Sequence, residues 1–144
     1  MISCDTNILF PAVEASHPDH ASARVFLESQ ALNPDFAVCE LVLMEVYVLW
    51  RNPLVVARPL DAATAVRKIE HLRRNPHWAL LDYPGGLMDD LWKQAARSLP
   101  YRRIFDIRLA LTLRHHNVSE FATANAKDFE GFGFQRVWNP LTDA

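Results

Sequence analysis

The sequence predicts an α/β protein: a three-layer α/β/α sandwich around a mostly parallel sheet of about five strands. Three observations carry this expectation. Short β-branched or apolar runs alternate with longer stretches of helical periodicity along the chain. Such alternation is how parallel strands are joined, because each parallel partner needs a crossover and a helix supplies it. The chain's 144 residues, 50% of them hydrophobic, suffice for one core and one domain over 1–144.

The strand candidates, in order, are 2–4, 36–39, 78–81, 120–124 and 134–138. Helical patterns lie between them. Residues 18–30 open with Pro18 and Asp19 and turn Ala21, Val25 and Leu27 inward. Residues 40–51 are strongly apolar. Residues 61–74 start at Asp61, a good N-cap, and set Ala62, Ala65, Val66, Ile69 and Leu72 on one stripe. Residues 87–99 carry Leu87, Leu91, Ala95 and Leu99 at helical spacing and end at Pro100. Residues 106–116 form the last long helix, with Asn117 placed to terminate it. Residues 52–60, "NPLVVARPL", read as a crossing between two helices, and the chain has no internal repeat or low-complexity tract.

Composition excludes several classes of function. Charged residues make up 22% of the chain and the net charge is −2, so no basic field advertises nucleic-acid binding. An acidic metal site would itself offset basic faces in that sum. Met1 leads directly into the first strand and no apolar run is long enough to span a bilayer, so we expect no membrane partner. The two cysteines, Cys4 and Cys39, fall at strand ends and read as buried thiols of a cytoplasmic protein. The six histidines show no ligand spacing.

Four carboxylates resist an ordinary reading. In "ISCDTNILF", Asp5 closes the first apolar run, where it either caps a following helix or stands at the mouth of the sheet. In "CELVLMEVYVLW", Glu45 has Leu41, Val42, Val48 and Leu49 as its helical neighbours. A buried carboxylate in that position must be neutral, paired or bound to a cation, and no basic residue lies at helical spacing. Glu40 reads instead as a helix-start acid favoured by the dipole. In "YRRIFDIRLALTLRHHNV", Asp106 sits where a helix begins, so capping and site roles stand near even odds. Arg102, Arg103 and Arg108 beside it are candidates for phosphate contacts. In "EFATANAKDFEGFGF", Asn125 or Asp128 either caps a short turn or joins the site, while Thr123 and Asn125 lie at the carboxyl end of a strand.

In a parallel sheet the carboxyl ends of all strands share one edge, so these acids converge from distant positions. A cluster of that kind repels itself unless protons or cations neutralise it, and hard oxygen donors select Mg²⁺ or Mn²⁺. Such ions suit phosphodiester hydrolysis, because they activate water and stabilise charge on phosphorus and the leaving oxygen. Thr6, Asn7, Thr123 and Asn125 are placed to orient the carboxylates, the water or the phosphate.

The same residues resemble those of PIN domains, and more narrowly of VapC-type toxin ribonucleases from toxin–antitoxin pairs. The resemblance runs from "DTNILF" through "HPDHASA", "LVLMEVYVLWRNP", "FDIRLALTL" and "TANAKDF" to "WNPL". It implies that Asp5, Glu45 and Asp106 occupy the family's three acidic metal-site positions. Asp128 falls near a fourth, more variable position for which Asn125 competes. It also implies an endoribonuclease dependent on Mg²⁺ or Mn²⁺, a homodimer, an RNA substrate and a cognate antitoxin protein. Two departures stand out: Phe105 precedes Asp106 where a polar residue is common, and Asn125 stands where many relatives carry an acid. The competing readings are a degenerate partner-binding module without catalysis, a DNA-directed nuclease and a phosphoacceptor receiver domain. The last lacks the paired acids it needs after the first strand.

Overall fold

The five apolar runs pair as one sheet in the computed structural model, which describes residues 1–97 and 99–142. They are β1 (Ile2–Cys4), β2 (Phe36–Cys39), β3 (Ala79–Leu81), β4 (Glu120–Ala122) and β5 (Arg136–Trp138), ordered β3-β2-β1-β4-β5. Every neighbouring pair is parallel, so all five carboxyl ends lie on one edge. The order reverses between β1 and β4. At such a switch point the connections on either side leave in opposite directions and open a crevice, where open α/β sheets bind ligands.

Six α-helices connect the strands among the described residues: α1 (Thr6–Val13), α2 (His20–Ser29), α3 (Glu40–Trp50), α4 (Ala62–Arg73), α5 (Met88–Ala95) and α6 (Arg103–His115). Their packing sorts them into two groups, α1 with α2, α3 and α4, and α5 with α6. Right-handed crossovers account for this, because the walk from β1 to β3 and the return to β4 pass over opposite faces. The core between the layers includes Ile8, Leu9, Phe36, Leu43, Trp50, Leu113, Phe121 and Phe129, all buried.

Several expectations shift. The strands expected at 78–81, 120–124 and 134–138 are shorter, leaving Thr123 just beyond β4. Helix α1 was not among the expected helical stretches, although the capping reading of Asp5 allowed for a helix there. Six of its eight residues are buried, so it lacks the polar face that marks a surface helix, and it contains Pro11. In α2 the buried residues are Ala23 and Phe26, while Val25 is 70% exposed. The large Phe26 ring decides that rotation by packing edge-on against Phe36 and Trp138. In α4, Ala65 and Leu72 are buried but Ala62 and Val66 are exposed. Of the stripe expected in 87–99 only Leu91 is buried, and α5 stops at Ala95. Position 98 of that stretch and positions 143 and 144 lie outside the described residues. Asn117 does end α6, in a left-handed conformation at φ +62°, with Val118 N–H donating to Leu113 and Asn117 N–H to Arg114.

Candidate active site

Asp5 stands at the β1 side of the switch point and satisfies both readings of its position. Its backbone N–H donates to Ala122 O at 2.9 Å, carrying the β1–β4 ladder one residue past the strand. As N-cap of α1, it accepts from Thr6 N–H on Oδ1 at 2.8 Å. Its other oxygen accepts from the Thr123 hydroxyl at 2.7 Å. That hydroxyl has one proton and gives it to Asp5, so it receives from Asn7 Nδ2 at 3.3 Å and from Asn125 N–H at 3.1 Å. Asn7 Oδ1 in turn accepts from Ala124 N–H at 3.0 Å. Thr123 and Asn7 thus fasten the segment after β1 to the segment after β4.

The other three acids arrive from separate elements. Glu45 projects from α3 and accepts from the Thr6 hydroxyl at 3.0 Å. Thr6 therefore serves Asp5 through its backbone and Glu45 through its side chain. Asp106 lies in the first turn of α6 rather than at its N-cap, which is Arg102. Asp128 sits in a 3-10 turn, Ala126–Phe129, anchored by Phe129 packing on Phe121 at 4.7 Å between ring centroids. The Arg103 guanidinium donates to the Asp128 backbone carbonyl and ties this turn to α6. Asn125 occupies the N-cap of the turn without a side-chain capping bond, and its side chain is exposed.

The carboxylates feel one another. Burial raises the Asp5 pKa, hydrogen bonds from Thr123 and Thr6 oppose the rise, and Asp128 adds to it. Glu45 is raised by burial and then by Asp5 and Asp106, against its Thr6 hydrogen bond. Asp106 is pushed up to about 6 by burial, then by Asp5 and Asp128, with Arg103 pulling the other way. Among the described residues none of the four forms an ion pair. Nor do any three Asp, Glu, His or Cys side chains there close into a ready-made metal cage. The acids share a field at longer range, as like charges do when they repel.

A divalent cation fits this donor set. The donors are hard carboxylate oxygens, their charges are mutually unfavourable, and among the described residues no arginine or lysine forms an ion pair with them.

Two features escaped the sequence reading. Arg103, read from the sequence only as a candidate for phosphate contacts, acts on the site through the turn it holds; its spacing of three residues before Asp106 on one helix was the available clue. The Arg108 guanidinium stacks 4.5 Å over the Tyr83 ring. The second feature is an apolar groove that opens beside Glu45 and Asp106.

The PIN domain family model matches residues 2–134. The chain belongs to the PIN-domain family. This PIN-domain chain is 52% identical over 143 residues to Ribonuclease VapC24 of Mycobacterium tuberculosis, with 99% of this chain and 98% of that protein covered. It is thus a homologue of a VapC ribonuclease. Its fold is shared with the crystal structure of M. tuberculosis VapC20, a sarcin–ricin loop cleaving toxin. That match has a TM-score of 0.65 at 16% identity over 84% of this chain and 87% of that one. A toxin–antitoxin complex from Klebsiella pneumoniae matches with a TM-score of 0.60 at 20% identity, over 97% and 98% of the respective chains.

Proposed function

We propose that this PIN-domain protein is the toxin of a toxin–antitoxin pair, an endoribonuclease that hydrolyses RNA phosphodiester bonds with Mg²⁺ or Mn²⁺. Asp5, Glu45 and Asp106 hold the ion and Asp128 completes the acidic site. The observation that carries this reading is one shared field: Asp5 and Asp106 both raise Glu45, Asp5 and Asp128 both raise Asp106, and among the described residues none of these acids forms an ion pair. Asp128 is preferred to Asn125 because it acts electrostatically on both Asp5 and Asp106, whereas the Asn125 side chain is exposed. The VapC24 relationship supports the RNA substrate, and the Klebsiella complex supports an antitoxin partner. A homodimer and a cytoplasmic location belong to the same reading.

When bound, the ion supplies an activated water and charge stabilisation at phosphorus. The chain's own residues do the positioning. Thr123 and Thr6 fix both Asp5 oxygens, Thr6 also fixes Glu45, and Asn7 keeps Thr123 oriented. Arg103 holds the turn that presents Asp128.

The test is cleavage of total bacterial RNA by purified protein with Mn²⁺, Mg²⁺ or EDTA, with Asp106→Asn alongside. Discrete metal-dependent fragments, absent from the variant, are expected. Full activity in Asp106→Asn would remove that residue from the site. The absence of a ready-made cage among the described residues favours one second reading, a degenerate partner-binding module. No cleavage together with no Mn²⁺ binding would establish it.

A further inference from the structure

The net charge of −2 hides an uneven distribution. Residues 51–77 hold six of the chain's fifteen Lys and Arg but only two of its seventeen Asp and Glu, so this stretch carries +4 and the rest of the chain −6. The stretch runs from the end of α3 through the crossing and α4. Within it Arg73 and Arg74 are paired, with Glu40 and Glu70. Arg51, Arg58, Arg67 and Lys68 are exposed and, among the described residues, form no ion pair.

Three of these four gather where the end of α3 meets the start of α4. Leu60 N–H donates to Trp50 O at 2.9 Å and fixes that junction. Hydrogen bonds from Thr64 hold the Asp61 carboxyl below its ordinary pKa, and Arg67 and Arg51 lower it further, so both guanidinium groups stand near it. Lys68 Nζ lies 5.4 Å from the centroid of the Trp50 ring. Against the single charge of Asp61 the junction keeps an excess of positive charge. A recess of about 360 Å³ opens there, lined by Trp50, Arg67, Lys68 and His71, with Val13 from the end of α1. None of the described residues lining it is acidic. Its guanidinium, ammonium and imidazole can all donate to an anion.

We propose that the junction of α3 and α4 is a phosphate-binding exosite, which grips the RNA backbone away from the acidic site. The inference rests on the ribonuclease reading and deepens it, because it says what holds the polyanion while the scissile phosphate faces carboxylates. Lys and Arg on phosphates supply much of a protein's affinity for nucleic acid. A cluster of acids opposes that attraction, so the grip has to come from another part of the surface. Complementarity of charge selects this part, where unpaired cations border a recess free of acids. The separation sets the length of RNA that feels it. Val13 ends α1, whose eight residues begin directly after Asp5, so the recess lies about 12 Å along that helix from the acidic site. A stacked strand carries one phosphate about every 3.4 Å, so an RNA touching both places reaches about three to four nucleotides beyond the scissile bond. Phosphate contacts carry no sequence information, so the exosite sets affinity and register rather than base preference.

The test follows the anisotropy of a fluorescein-labelled single-stranded RNA of about 16 nucleotides, titrated with the full chain in EDTA so that no cleavage occurs. Repeated over a series of KCl concentrations, it should show log affinity falling linearly with log salt. The double variant Arg67→Gln, Lys68→Gln should bind about tenfold to thirtyfold more weakly at about 0.1 M salt and flatten that slope by about one to two. Arg51→Gln, at a separate exposed position, should shift both readings in the same direction, so the idea stands or falls even if one variant folds poorly. Arg136→Gln, on β5 at the other edge of the sheet, should change neither. With Mn²⁺, the double variant should raise KM for RNA and leave kcat in place, a split that a folding defect does not give. Unchanged affinity and slope in the double variant would overturn the proposal. So would a wild type that binds no RNA in EDTA at low salt. Wild-type RNA affinity in the double variant, together with lost binding of poly-glutamate, would overturn it in favour of an acidic protein partner. If the wild type cuts no RNA with Mn²⁺ yet binding follows Arg67 and Lys68, hydrolysis fails and the exosite stands. If it cuts RNA while the double variant binds and cleaves as the wild type does, the reverse holds.

Discussion

Two glutamates on α3, five residues apart, have opposite surroundings. Glu40, in the first turn, meets Arg73 of α4 at 2.7 Å, and Arg73 also holds Glu70 at 2.9 Å. Among the described residues Glu45 meets a hydroxyl, from Thr6, and no cation, and two further carboxylates raise its pKa. A helix turns about 100° per residue, so five residues carry the two side chains onto different faces. One face meets α4, whose last turn brings arginine to the start of α3. The other meets the switch point, where the charges that act on Glu45 are the carboxylates of Asp5 and Asp106. Pairing marks where charge serves the packing of helices; in the proposed cation site the carboxylates stand without ion pairs among the described residues.

The sharpest way to break this comparison is to neutralise Glu45. Glu45→Gln keeps the length of the side chain and its contact with Thr6, but removes one charge from the proposed cation site. We expect a melting temperature at or above that of the wild type in EDTA and a loss of more than about a hundredfold in Mn²⁺-dependent RNA cleavage. A variant that cleaves like the wild type would show Glu45 to be an ordinary helical acid.

Thr123→Val tests the frame rather than the charge. The change preserves shape but strips Asp5 Oδ2 of its donor and leaves Asn7 Nδ2 and Asn125 N–H without their acceptor. Because Thr123 is fully buried, the loss should lower stability by about 1–3 kcal/mol. Cleavage should fall about tenfold to a hundredfold, as for other residues that orient ligands. Thr123→Ser restores the hydroxyl and should recover most of the activity. Urea unfolding and steady-state cleavage of the two variants check both parts.

A smaller effect lies in the pH dependence without metal. The folded pKa of Asp106, about 6, lies above its ordinary value of 3.8. A raised carboxyl pKa means the folded state holds its proton more tightly than the unfolded chain. The associated stability is fully present below the ordinary value and is lost as pH rises through about 6. Asp106→Asn has no proton to lose there. In EDTA, the melting temperature of this variant relative to the wild type should climb between about pH 4 and about pH 6.5 and level off above that. A difference that stays flat across that window would mean that burial, Asp5 and Asp128 together do not raise Asp106 in the folded state.

Much of this comparison was legible in the chain itself. The alternation of strand and helix follows from short buried runs and longer periodic ones, and an isolated acid on the apolar face of α3 is visible from spacing alone. Helix α1 was not legible, because burial on nearly all sides erased its period and Pro11 argued against it. The rotation of α2 depended on the area of one ring, Phe26, which a count of apolar positions does not weigh. Asp128 and Asn125 could not be separated from the sequence. Their relative placement is set by an irregular turn and by Arg103, whose bond to that turn spans 25 residues. Local pattern reports what a residue does to its own element; contacts of that range appear only once the elements are packed.

The smallest effect comes from the paired side of α3, and it closes the comparison. Glu40→Gln removes the charge from the link to Arg73 while leaving a carbonyl that can still accept from the guanidinium. Arg73 keeps Glu70 on its own helix, so its charge is not stranded. The link is partly solvated, and pairs of that kind contribute little and are screened by salt. The expected result is a slight fall in melting temperature that shrinks as salt is added, with cleavage unchanged. Equal losses of cleavage in Glu40→Gln and Glu45→Gln would mean that α3 tolerates no lost charge anywhere, and that the contrast between its two faces is one of packing alone. Unequal losses would show that the two acids differ in kind, because helix, side chain and substitution are the same and only the surroundings change.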